Sequence, residues 1–237
     1  MLCQSLLPSL RRLLLATAVA LMLGERVSVV HAQTTLTWGA TGGGGTGTWD
    51  TSASNWFNGS TAVPWTQGDS AIFGGTAGTV TLGTAITAQD LTFGTNGYTV
   101  TGNSLTLGVS STPTVTLGAG ISATISSIVA GSNGLTVTGG GTLTLTGANT
   151  YSGGTTINAG TLTYSGAASS SGGGNLNVAS AAGNTAVVNF NSSGTLTFNT
   201  AFNVGASGGA GAVNQTAGAG NATANSFVLR PPAGTLF

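Results

Sequence analysis

Residues 134–164 read GLTVTGGGTLTLTGANTYSGGTTINAGTLTY. Three short runs of alternating residues stand between glycine-rich breaks: Leu135 to Thr138, Thr142 to Thr146 and Thr161 to Tyr164. In the middle run Leu143 and Leu145 fall on one side and Thr142, Thr144 and Thr146 on the other. That is the period-2 pattern of a strand with one face buried and one in water. Gly139-Gly140-Gly141 and Gly153-Gly154 punctuate the runs, because glycine reaches the positive-φ conformations that sharp turns need. Thr156-Ile157-Asn158 adds a further short strand before the turn at Ala159-Gly160. Leu143, Leu145, Ile157 and Leu162 are expected to point into one continuous core.

The segment resembles the autotransporter-associated β-strand repeat, also called the passenger-associated transport repeat. The resemblance rests on Gly141-Thr142-Leu143-Thr144-Leu145, on Gly147-Ala148-Asn149-Thr150-Tyr151-Ser152-Gly153-Gly154-Thr155-Thr156, and on Asn158-Ala159-Gly160-Thr161-Leu162. Together these stretches span close to the whole repeat. Val137 departs from it, at a position where the family often carries Lys. The resemblance implies an all-β, right-handed parallel β-helix, exported as an autotransporter passenger. It implies little about what the passenger does outside the cell.

Composition agrees with an ordered β chain. Of 237 residues, 41 are glycine, 40% are hydrophobic and only 3% are charged. Disordered chains are charged and poor in β-branched residues, and here the apolar residues alternate. No charged residue occurs between Leu91 and Leu229. Such a surface cannot attract nucleic acid or a membrane by charge, so neither is expected as a partner.

Residues 1–32 read as a secretory signal peptide. Arg11 and Arg12 close a positive segment, and Leu13 to Leu23 form an apolar run too short to span a bilayer. Val30-His31-Ala32 offers the small residues that a signal peptidase reads, which puts cleavage between Ala32 and Gln33. The cut removes Cys3, Glu25 and His31, leaving Asp50, Asp69, Asp90 and Arg230 as the charged side chains. No disulfide and no membrane span is expected in the mature chain.

Residues 33–107 read as a Trp-rich module that caps the start of the solenoid. All four tryptophans, Trp38, Trp49, Trp56 and Trp65, fall within it. The pattern Gly47-Thr48-Trp49-Asp50, Asn55-Trp56, then Gly68-Asp69-Ser70-Ala71-Ile72-Phe73 is similar to the N-terminal segment of proteins carrying the repeat. A solenoid has to close its open end, and bulky aromatics can cover it. A competing reading makes these rings a carbohydrate-binding platform.

Residues 108–237 read as coils of the β-helix, including the repeat. Strands are expected at Thr114 to Leu117, Ile121 to Val129, Asn175 to Val178, Ala186 to Phe190, Thr195 to Phe198 and Ala201 to Val204. Residues 165–174 (SGAASSSGGG) read as a small-residue loop, and Gly205 to Asn225 shows weaker alternation. Pro231-Pro232 breaks any strand leading to Phe237, and nothing resembles a translocator barrel, so the chain is expected to be either a truncated passenger or a protein exported by another route.

Sites of chemistry are scarce. Gly42-x-Gly44-x-x-Gly47 matches a dinucleotide fingerprint by letter, with Asp69 at a plausible distance beyond Gly47, but that mechanism needs a following helix. The chain contains no lysine, which excludes a phosphate-binding loop of the Walker type. Asp50, Asp69 and Asp90 follow one another at intervals close to one solenoid coil, so stacked carboxylates could hold Ca²⁺ or act on a sugar chain. Each also sits in a turn-like context (TWDTS, QGDSA, AQDLT), where aspartate commonly bonds its own backbone. A serine has no His, Cys or Lys to activate it in the mature chain. Neither a catalytic residue nor a cofactor or metal site is expected.

Thr-x-Thr pairs begin at Thr35, Thr79, Thr99, Thr114, Thr136, Thr142, Thr161 and Thr195, at irregular intervals. A flat, regular threonine ladder can bind ice, but this spacing argues against a single array.

The sequence thus predicts a structural or adhesive rod at the cell surface, without catalytic activity. Its expected partners are the export machinery, an outer-membrane barrel absent from this chain, and a surface glycan or protein ligand. Without a translocator it would stay in the periplasm. The alternative is a carbohydrate-binding or polysaccharide-acting β-helix that uses the Trp-rich end with Asp50, Asp69 and Asp90.

Overall fold

The computed structural model describes residues 32–166, 169–170, 174–194, 196–198, 201–205, 208–215, 222–224 and 227–229. The leader up to residue 31 and the expected break at 230–237 lie outside the described residues. Gln33–Phe237 forms one compact unit. Among the described residues, no helix is long and apolar enough to cross a membrane.

The architecture is a parallel β-solenoid. Each coil contributes one short strand to each of three sides. On the first face, Thr35–Trp38 pairs with Ser70–Phe73, and then in order come Leu91–Phe93, Thr114–Leu117, Leu135–Thr138, Thr155–Ile157, Leu176–Val178, Phe202–Val204 and Phe227–Leu229. The second face runs Gly47–Trp49, Thr79–Leu82, Tyr98–Gly102, Ser122–Ile125, Thr142–Leu145, Gly160–Gly166, Thr185–Ser192 and Ala210–Gln215. The third side carries Ile86–Ala88, Leu105–Leu107 and Val129–Ala130, then Ala148–Asn149, Ser169–Ser170, Leu196–Phe198 and Ala222–Ala224. Thr150 N donates to Val129 O at 2.8 Å, which joins the two parts of that side.

The alternation read from the sequence is what builds the core. Ala71, Leu91, Val115, Val137, Ile157, Val178 and Val204 stack in register along the first face, each paired with the next. On the second face Val80, Val100, Ile125, Leu145, Tyr164 and Phe190 form a second stack. All of these residues are buried. Leu143, Leu145, Ile157 and Leu162 lie in this core as the sequence predicts. Burying each such side chain stabilises by about 1.5–3 kcal/mol, and neighbours in the stack share the same apolar interior.

The glycine pair of the repeat has a packing reason. A Cβ at Gly153 would run into the backbone of Gly134 one coil below, and one at Gly154 would stand 2.8 Å from Asn175 O one coil above. Adjacent coils meet backbone to backbone at this corner, and only glycine leaves room.

Three strand boundaries differ from the sequence reading. The run Ile121 to Val129 is two strands, Ser122–Ile125 and Val129–Ala130, because the chain turns a corner between them. The alternation itself continues through that corner: Ile125, Ser127 and Val129 are buried, and Ser126 and Ile128 are not. The supposed loop 165–174 is partly strand, since Gly160–Gly166 extends into it and Ser169–Ser170 pairs with Ala148–Asn149. The weakly alternating segment after Gly205 holds the strand Ala210–Gln215, in register with Thr185–Ser192.

Candidate functional site

The Trp-rich end, the three aspartates and the outward threonines are where the sequence points to function. The structure treats them differently.

All four tryptophans are buried, with Trp49 and Trp56 at 0% exposure. They form one cluster. Trp49 meets Trp56 at 4.8 Å and Trp65 at 4.7 Å between ring centroids, both edge to face, and Trp38 meets Trp56 at 5.1 Å in the same way. Phe73 adjoins the cluster and stacks on Phe93 at 4.8 Å, so the aromatic packing runs on into the next coil. Such pairs contribute about 0.5–1.5 kcal/mol each beyond their buried area. Trp38 Nε1 donates to Gly45 O at 2.8 Å and Trp65 Nε1 to Thr87 O at 3.2 Å. The indole N–H groups of Trp49 and Trp56 have no partner among the described residues. Beside the cluster the edge of the first face turns antiparallel: Trp56–Phe57 pairs with Thr35–Trp38 and then with Ala62–Val63. This corrects the carbohydrate-platform reading. A sugar stacks on an exposed ring face, and none of these four rings offers one.

The aspartates do not form a group. Asp50 closes its own turn: Oδ1 accepts from Ala53 N at 2.7 Å, Ser52 N at 2.8 Å and Ser52 Oγ at 3.0 Å. Hydrogen bonds from the Ala53 and then the Ser52 backbone, with a smaller one from the Ser52 hydroxyl, hold its carboxyl below the ordinary carboxylate range, against a raising effect of desolvation. Asp69 is buried, and its Oδ1 accepts from Thr34 N at 2.8 Å. Asp90 Oδ1 accepts from Thr114 N at 2.8 Å, and Ser70 Oγ donates to Oδ2 at 3.4 Å. Asp69 and Asp90 therefore tie strand beginnings to the adjacent coil on the first face, and Asp50 ties a turn. The coil-length spacing was real for Asp69 and Asp90, whose following residues open successive first-face strands, yet the carboxylates are used by backbone N–H groups. Among the described residues, no group of three or more His, Cys, Asp or Glu side chains is placed to hold a metal ion. Ala32 and Gln33 are both exposed, and Gln33 Nε2 donates to Gly68 O at 3.1 Å.

The threonines are where sequence reasoning missed the arrangement. The irregular series of pair starts mixes separate faces. On the second face alone, pairs of hydroxyl residues begin at Thr79, Thr99, Ser122, Thr142 and Thr161, at nearly equal intervals of one coil. The sheet register sets Thr79, Thr99, Thr124, Thr144 and Thr163 in one column. Thr48, Thr81 and Thr101 form a column on one side of it, and Ser122, Thr142 and Thr161 one on the other. The first face carries a smaller set, with Thr92, Thr116 and Thr138 beside Thr114, Thr136 and Thr156. The pairs as a whole form no single array, as their spacing indicates, but the second-face set falls into register because loops of unequal length lie between strands of fixed pairing. Ser122, which is not part of a Thr-x-Thr pair, hid the period. Further along, asparagines replace threonine: Asn203 Nδ2 donates to Asn177 Oδ1 at 2.8 Å and Asn214 Nδ2 to Asn189 Oδ1 at 2.9 Å.

A buried hydroxyl network marks the repeat itself. Tyr151 Oη lies 2.8 Å from both Thr155 Oγ1 and Tyr164 Oη. All three residues are buried.

Residues 135–163 match the family model described as the passenger-associated transport repeat. The chain is 48% identical over 121 residues to a protein named adhesin BmaC autotransporter, from Brucella suis biovar 1 (strain 1330). The alignment covers 48% of this chain and 4% of that protein, so the chain spans a small fraction of the relative's length. No solved structure matches the chain.

Proposed function

We propose that this chain is passenger material of an autotransporter, exported to the cell surface, where its work is structural or adhesive and not catalytic. The observation that carries this reading is the passenger repeat at 135–163, seated without interruption in a solenoid whose flanking coils continue its register. A rod of this kind projects an uncharged hydroxyl and amide surface away from the cell. The name of the relative supports adhesion as the task.

In this proposal the leader is removed between Ala32 and Gln33, an outer-membrane translocator is the export partner, and residues 33–107 cap the solenoid. The buried tryptophan cluster and the antiparallel edge strands support the capping role, since a capped end presents no open ladder to other chains. The glycan-acting alternative is not carried forward: its rings are buried and its carboxylates are bonded to backbone.

The test is adhesion by bacteria that display the chain through an autotransporter translocator. Display should raise attachment to epithelial cells or matrix-coated surfaces above that of cells displaying the translocator alone. Surface protease should release the chain from intact cells. Equal attachment in both strains, or release of sugars from a polysaccharide panel by the purified chain, would contradict the proposal.

A further inference from the structure

We propose that the second face of the solenoid is an ice-binding surface, a property separate from the adhesive role. Five consecutive strands, Thr79–Leu82, Tyr98–Gly102, Ser122–Ile125, Thr142–Leu145 and Gly160–Gly166, each present two outward hydroxyl residues two positions apart. They are Thr79 with Thr81, Thr99 with Thr101, Ser122 with Thr124, Thr142 with Thr144, and Thr161 with Thr163. The register locks them into ranks, as described above. Parallel strands repeat at about 4.8 Å across the sheet, and residues two apart on one strand at about 6.6 Å. The result is a two-dimensional net of oxygens at spacings of the order of those between oxygens in the surface layers of ice.

Three further features of the net suit a water lattice. None of the ten residues is buried. Nine of the hydroxyls make no hydrogen bond to the described chain, while Thr163 Oγ1 accepts from Asn189 Nδ2 at 3.1 Å. They are therefore free to bond water. The face carries no charged side chain: the charged residues of the described chain are Asp50, Asp69 and Asp90, none of them on a second-face strand. A charge would order water around itself and oppose a regular lattice. Finally, the net is held by the backbone ladder and by β-branched side chains with few rotamers, so little conformational freedom is lost when a rigid surface docks. The methyl groups between the hydroxyls present an apolar ground on which water already orders. A flexible partner gains little from such regularity; a crystal lattice gains at every rank.

The test is capture of the full chain by slowly growing ice, together with inhibition of ice recrystallisation. The chain should enrich in the ice fraction well above an inert protein of similar size. Thr124→Lys with Thr144→Lys places two bulky charges in the central column and should lower capture at least tenfold. Thr106→Lys, on the third side, should leave capture unchanged. Circular dichroism and urea unfolding establish that each variant is folded; if the double variant is not, Thr81→Lys, at an exposed position, carries the same prediction. Exclusion of the folded chain from ice would overturn the proposal. So would unchanged capture by the folded second-face variant, or an equal loss with Thr106→Lys.

Discussion

Replacing Leu145 by aspartate should unfold or truncate the solenoid, while the same change one residue away, at Thr144, should be nearly silent. Leu145 is fully buried and stacks between Ile125 and Tyr164 of the adjacent coils. Removing the leucine forfeits about 1.5–3 kcal/mol of burial. Forcing an unpaired carboxylate into the same space costs several kcal/mol more, by its ionisation or by its protonation. The sum, roughly 5 kcal/mol or above, equals the lower end of the stability of a typical domain, about 5–15 kcal/mol. Thr144 is half-exposed and points outward between Thr124 and Thr163. Aspartate there meets water and hydroxyls, and its lower β-propensity costs at most about 1 kcal/mol. Urea unfolding followed by circular dichroism measures both variants against the parent. A Leu145→Asp variant with the parent's midpoint, or losses of equal size at the two positions, would refute the inward–outward alternation on which the fold rests.

Gly153→Ala should destabilise by about 1–3 kcal/mol, the range for overpacking, because its Cβ meets the Gly134 backbone. Gly74→Ala, where a Cβ meets nothing, should be neutral by the same urea assay. Tyr151→Phe should cost about 1–2 kcal/mol through loss of the hydroxyl that joins Thr155 and Tyr164, read as a drop in thermal midpoint. The Asp50 carboxyl should titrate below the ordinary carboxylate range in a pH series of NMR spectra, because the Ala53 and Ser52 N–H groups favour its ionised form. Since its folded-state pKa is depressed, its contribution to stability is full above the unfolded value and is lost as pH falls through the folded one. A folded-state value at or above the ordinary range would remove the turn-closing role assigned to it. Tryptophan fluorescence should resist acrylamide quenching in the folded chain and become quenchable in urea, as buried rings require.

The parts of this fold that were legible in the sequence are those set by one strand at a time. Leu143 and Leu145 alternate with threonine within a single short run, and that pattern alone gives the buried side. The turn context of Asp50 likewise announced its bonds to the near backbone, whereas Asp69 and Asp90 bond the backbone of adjacent coils, which their turn contexts did not announce. What depends on register between coils was not legible. Ser169–Ser170 has no apolar residue to mark it as a strand, and only pairing with Ala148–Asn149 defines it. The threonine net was hidden because Thr114 and Thr136 belong to the first face and interrupt the count of the second. At the corner after Ile125 the alternation runs on unbroken through Ser126, Ser127 and Ile128, so the pattern does not mark where one strand ends and the next begins. That the tryptophan rings are buried, and so offer no platform, is not revealed by rings at unequal spacing.

The claim beneath all of this is that coils far apart in sequence lie stacked in fixed register. Spin labels at Thr79→Cys and Thr163→Cys, with Cys3→Ser to leave two labels, test it directly by pulsed dipolar spectroscopy. The two positions are distant in the chain but only four steps apart on the second face, through Thr99, Thr124 and Thr144. Four strand spacings of about 4.8 Å place the backbones about 19 Å apart. A single narrow distribution near that distance, allowing for the label arms, is the predicted result. A broad distribution centred well beyond about 30 Å, as for a chain without coil stacking (about 5–6 Å × √n for a flexible segment), would contradict the account.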